Sequence, residues 1–215
     1  PVASAQETTF LGPAPYLANE ERVQEVRLPY APGIRAVSFN PFNRQEVASA
    51  YLDIYLPQQS IQPGWNGSVA ACNAGNTTTP YRQATIDRVN YYRAHAGLSG
   101  NVTLFGGTQA TGTQQAALMF SANESLSHTP PNGWLCWTQP GATAAGKSNI
   151  ALGHGSNQAA GPSAVDLYMD DWGSSNHIVG HRRWILYPPQ IQMESGSIPF
   201  NPQWAANALW VLGPF

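Results

Sequence analysis

The chain has 215 residues, enough for one globular domain with a sizeable core. Only 10% of them are Asp, Glu, Lys or Arg, the formal net charge is −2, and 20 are glycine and 18 proline. Such a chain is loop-rich and lacks the clustered basic charge that nucleic acid demands. No apolar run reaches the roughly eighteen residues that a membrane-spanning helix needs. Pro1 is not a translation start, and Cys72 and Cys136 form an even pair without CxxC or Cys/His spacing. We expect a disulfide between them and a processed, secreted chain, extracellular or periplasmic. Asn66, Asn76, Asn101 and Asn123 begin glycosylation sequons.

Up to about Arg35 the sequence is polar and proline-rich, and the alternating stretch EVRLPY predicts an extended arm or edge strand. Asn43 followed by Glu46 is a capping-box pattern. Val47, Tyr51 and Tyr55 then share one helical face, predicting a short amphipathic helix that Pro57 stops. The block 58–79 reads as loop. Thr79-Pro80 opens a second helix, carried by Ile86, Val89, Tyr92 and Ala96 and closed by Gly97. Further helices are predicted from Thr113 through Ser125 and from Ser163 to Gly173, whereas RRWILYP and ANALWVLG read as β-like runs. With no repeat and no linker, the pattern is that of an α+β domain with an N-terminal extension.

Two motifs mislead. GATAAGKS, Gly141 to Ser148, fits the phosphate-loop pattern and holds Lys147, the one lysine of the chain. A phosphate loop must follow a strand and open a helix; the flanking CWTQP and NIALGHG supply neither, so nucleotide binding is not expected. His177 and His181 are four apart, as in zinc proteases, but Ile178 replaces the glutamate and Val179-Gly180 is poor helix material. No G-x-S-x-G elbow is present. His95 reads as an ordinary surface histidine, and His154 lies in a glycine-rich loop.

Five pieces fall in a familiar order: RVNYYRAHAGL, QQAALMFSANESLSHTPP, KSNIALG, AVDLYMDDWGSSN and VGHRRWILYP. Together they resemble the CAP superfamily of cysteine-rich secretory, antigen 5 and pathogenesis-related 1 proteins, most closely its bacterial secreted members, over about Thr79 to the C-terminus. The resemblance implies a three-layer α-β-α sandwich over residues 79–215. Residues 1–78 form an extension with one short helix, packed on or continuous with that domain. It also implies a cleft of two histidines and two acids, in which some members bind zinc or another divalent cation. His128 in LSH and His181 in GHRRW match the histidines, and hence the metal ligands. Asp171 matches one acid as a shorter side chain, and Ser148 stands where the family has its other glutamate.

Three readings stay open from the sequence. The first is a secreted protein whose cleft binds an extracellular ligand, a lipid, glycan or peptide. The second is a metal-dependent hydrolase acting on an extracellular or cell-wall substrate, with His128, Asp171 and His181 as catalytic residues; Glu124, one turn before His128, is a candidate base there, although a surface role suits it better. The third is a structural module of the cell envelope. A blander arrangement of the same residues has His128 capping a helix end, His181 hydrogen-bonded in the core, and Arg182 paired with Asp170 or Asp171.

Overall fold

The computed structural model describes residues 30–33, 36–173, 176–200 and 202–213, so the expected arm at EVRLPY lies outside the described residues except for Tyr30. Helix α1, Arg44–Ala50, starts where the capping box predicts. The Asn43 side chain accepts from the Gln45 and Glu46 amides, and the Glu46 carboxylate accepts from the Asn40 amide and the Asn43 side chain. Pro57 does not stop this helix. The chain continues through a π-helical turn, Tyr51–Tyr55, into a last turn, α2, Leu56–Gln58. The wider turn, in which the Leu56 amide bonds the Tyr51 carbonyl, absorbs a proline that has no amide hydrogen to offer.

Helix α3, Thr79–His95, is capped by Thr78, whose hydroxyl accepts from the Tyr81 amide, and ends before Gly97 at φ +71. After the two-residue strand β1, Thr103–Leu104, comes α4, Gly107–Asn123. It begins six residues before the predicted Thr113, because its first turns are polar and carry no apolar signal. The phosphate-loop-like segment is helix α5, Gln139–Ala145, followed by strand β2, Ser148–Gly153. This is the reverse of strand, loop, helix, and the turn between them faces the carbonyl end of α5. Helix α6 spans Gly161–Asp170 and α7 spans Gly180–Ile185. The β-like reading of RRWILYP is therefore corrected to a helix and a loop, whereas ANALWVLG supplies β4, Ala205–Trp210, which pairs with β3, Gln192–Ile198.

The sheet has the order β1-β3-β4-β2, with β1 parallel to β3 and the other two pairs antiparallel. Strand alternation divides the core. Ala206, Ala208 and Trp210 join Ala116, Ala117, Phe120 and Ala144 of α4 and α5, while Ala205 and Leu209 join Ile86, Val89, Val165 and Ile185 of α3, α6 and α7. Close approach depends on small residues: a Cβ on Gly196 of β3 would lie 2.2 Å from the Thr113 and Gln114 backbone of α4. Because β1 covers only the start of β3, the outer edge of Ser197 would be bare. The Gln114 side chain fills it, Oε1 accepting from the Ser197 amide at 3.0 Å and Nε2 donating to its carbonyl at 2.9 Å. Asn90 pins the Val102 backbone in the same two-bond manner.

The extension is stitched to this body. Arg88, 1% exposed, donates to Asp166, to the Gln58 side chain and to the Tyr55 carbonyl, with its guanidinium carbon 3.5 Å from the Tyr55 ring centre. The Tyr30 hydroxyl and the Gly33 amide both donate to Asp87. Cys72 and Cys136 form the expected disulfide, their Cα atoms 5.0 Å apart.

Candidate functional site

The segment from Asn176 to Gln190 is held by two arginines that bond main-chain oxygen. Arg93 of α3, 1% exposed, spreads its guanidinium over the carbonyls of Ser99, Ile185, Tyr187, Pro188 and Gln190. This buried cation is solvated by backbone dipoles. Among the described residues the Arg182 guanidinium pairs with no acidic side chain, neither Asp170 nor Asp171; it donates to the Met169 and Asp170 carbonyls. Those tertiary bonds override the β-propensity of the stretch and fix α7 against α6.

His181, in the first turn of α7, donates from Nδ1 to Asp171 Oδ1 at 2.8 Å. The other Asp171 oxygen accepts from the Arg182 amide at 3.2 Å, satisfying one of the orphan donors at the start of α7. Asp171 itself sits at φ 50, in the left-handed turn that ends α6. Beneath the imidazole, the Tyr168 ring lies 5.4 Å away between centroids, and its hydroxyl is 2.9 Å from Asn207 Oδ1. Full burial pushes the Tyr168 phenol well above its ordinary range. Asn149 of β2 donates to the His181 carbonyl.

His128 follows α4 on an exposed turn, and its Nδ1 lies 2.9 Å from the carbonyl of Ala145, the last residue of α5. A carbonyl and a carboxylate only accept, so in both histidines Nδ1 carries a proton, and Nε2 faces away from these bonds, an acceptor whenever the ring is neutral. His128, Asp171 and His181 line one pocket of about 450 Å³, with Ser148, Lys147, Ile178, Trp184 and Leu212 among its other walls. The Ser148 hydroxyl is buried there without a hydrogen-bond partner among the described residues. The expected trio thus lines one pocket, and one part of the blander arrangement holds as well, His128 capping α5; His181 is bonded to Asp171 and partly exposed rather than held in the core.

Two candidate roles change, and one sequon is occupied. Glu124, one turn before His128 in sequence, takes a left-handed conformation at φ 49 and lines a different pocket, so it does not act as a base beside the histidines. His95 is half-buried against Phe39 and Tyr91, with centroids 4.7 and 4.6 Å away, and its Nε2 has no partner among the described residues. Burial lowers its pKa from the ordinary 6.5. Asn123 spends both ends of its amide on Met119 and on the Leu135 backbone, which leaves that sequon's side chain occupied. Lys147, Ile178 and Leu212 are pocket walls that no local spacing in the sequence marks.

For a metal ion the donors fall short. Two imidazole Nε2 atoms are available, but Asp171 is engaged by His181 and by a backbone amide, and Ser148 is a poor substitute for a carboxylate. Among the described residues no group of three or more His, Cys, Asp or Glu side chains is placed to hold one.

The fold and pocket define a mixed α+β chain built around a two-histidine site. Residues 86–189, a little under half of the chain, match the model of CAP, the cysteine-rich secretory protein family. The match supports the CAP superfamily for this chain, and the segment takes in His128, Ser148, Asp171 and His181. Searches of the curated proteins and of the solved structures found no match.

Proposed function

We propose that the chain is an exported CAP-domain binding protein whose histidine pocket takes an amphipathic ligand, a lipid with a polar head. The observation that carries the reading is the pairing, in one pocket, of two imidazoles pinned through Nδ1 with an apolar lining of Ile178, Trp184, Val211 and Leu212. The Nε2 atoms accept from a head-group hydroxyl or, when protonated, donate to a carboxylate, and the unpartnered Ser148 hydroxyl adds a third polar contact. The apolar chain lies along Trp184 and its neighbours. Core clusters on both sides of the sheet support the three-layer arrangement of the family. The Cys72–Cys136 bond supports an oxidising compartment.

Less supports the metal-dependent hydrolase, because among the described residues the pocket offers no third free ligand, and no further base once both imidazoles are spent on a metal. Titration with dodecanoate, followed by tryptophan fluorescence, tests the binding reading. Saturable quenching is expected, weakened about tenfold or more in the His128→Ala/His181→Ala double variant. Equal affinity of the two proteins would end it.

A further inference from the structure

A second trough, of about 970 Å³, is lined by Trp65, Glu124, His154, Asn157, Phe200 and Trp204 among others. It lies at the far end of the same two strands. β2 and β4 pair with Ser148 opposite Trp210 and Gly153 opposite Ala205. The histidine pocket gathers residues beside the first pair and the trough residues beside the last, about 17 Å away along the strand.

The chemistry of the trough is distinct. Among the described residues neither Lys nor Arg lines it, so they offer no cation to hold phosphates or carboxylates. His154 packs on Phe200 and Trp204 with centroids 5.5 and 5.0 Å away, making one aromatic wall. Trp65, on the other segment, is fixed by its indole N–H on the Ala74 carbonyl at 2.7 Å. Asn157 and Gln203 each spend one end of the amide inside the wall, on the Phe200 amide and the Pro199 carbonyl. The Glu124 carboxylate bonds none of the described residues. It is also displayed from φ 49, a backbone position after a helix that favours glycine.

We infer that this trough binds a neutral glycan of β-linked, equatorially substituted pyranoses, independently of the histidine pocket. Such rings present C–H groups on both faces, which lie flat on aromatic side chains, while their hydroxyls both donate and accept. Glu124 accepts only, so its ligand must donate. A proline-rich peptide, another guest of aromatic grooves, has no amide hydrogen at proline. A quaternary ammonium head is held by rings within about 6 Å of one centre, far less space than the trough offers.

The test titrates the full chain with cellohexaose and with chitohexaose, up to about 10 mM, by calorimetry and tryptophan fluorescence. At least one saccharide binds saturably, and Trp204→Ala weakens it about tenfold. Glu124→Gly weakens it about fivefold or more while raising Tm by about 2–4 °C, because glycine relaxes the left-handed turn. The His128→Ala/His181→Ala double variant binds the saccharide as the parent does. Where Trp204→Ala fails to fold, Glu124→Gly decides, since its stability and its binding move in opposite directions. Absence of binding to both saccharides, binding that folded Trp204→Ala or Glu124→Gly leaves intact, binding lost in the His128→Ala/His181→Ala variant, or saturable binding of choline or decaproline in their place overturns the inference.

Discussion

At one end of the β2–β4 pair, beside Ser148 and Trp210, imidazoles are aimed by single hydrogen bonds from helix ends: His128 by the last carbonyl of α5, His181 by the carboxylate that closes α6. At the other end, beside Gly153 and Ala205, aromatic rings are held by one another and by loops, and the Glu124 carboxylate has no partner among the described residues. The same two strands thus support a small directional pocket and a larger, more open trough. Helix termini give orientation because their unpaired backbone groups point along fixed axes; loops give area and variety of contact.

Reduction of Cys72–Cys136 is the strongest way to separate the two ends. The bond links positions 64 apart and ties the loop carrying Trp65 and Val69 to the chain after α4. Its loss is expected to cost about 4 kcal/mol in denaturant melts. The imidazole NMR signals of His128 and His181 should survive reduction under native conditions; their collapse would show the two ends to be one unit. Gly196→Ala should disturb both ends, since its Cβ meets the α4 backbone from the shared sheet, costing about 1–3 kcal/mol by the same measurement. Asp171→Asn should act on one end alone. An amide keeps one acceptor for either the His181 ring or the Arg182 N–H, so about 1–2 kcal/mol is lost. The ¹⁵N shifts of His181 should then report a mixture of tautomers while those of His128 stay fixed.

The smallest effect lies at neither end. Burial lowers the His95 pKa from 6.5, so in the window below about pH 6.5 the unfolded chain binds more protons than the folded one. Stability from this site is present above that pH and is lost as pH falls. Melts of the parent and His95→Phe should converge at neutral pH and part in acid, with fluorescence at both ends unchanged. A variant with the parent's pH slope would show that His95 is not the source.

The legible parts of the fold were those written locally. Asn43 with Glu46, Thr79-Pro80 and Gly97 act through the backbone within one helical turn, and the structure uses each of them. RRWILYP failed as a strand because its conformation is set by distant groups, the Arg93 guanidinium and the Asp171 carboxylate. α5 was hidden inside a phosphate-loop pattern, whose glycines and alanines fit a short packed helix equally well. In the pocket, His128, Asp171 and His181 were found through resemblance, since no spacing links positions so far apart. Of the two roles open to Glu124, the surface one fits, because a left-handed residue after α4 turns it away from the histidine that sequence proximity suggested.

The amide of Gln114 stands where another strand would otherwise dock. Bonded to the Ser197 amide and carbonyl, and donating as well to the Ala74 carbonyl, it acts as a one-residue plug at that edge of the sheet. Replacing that side chain by leucine would leave the width of the helix unchanged and expose a template for self-association.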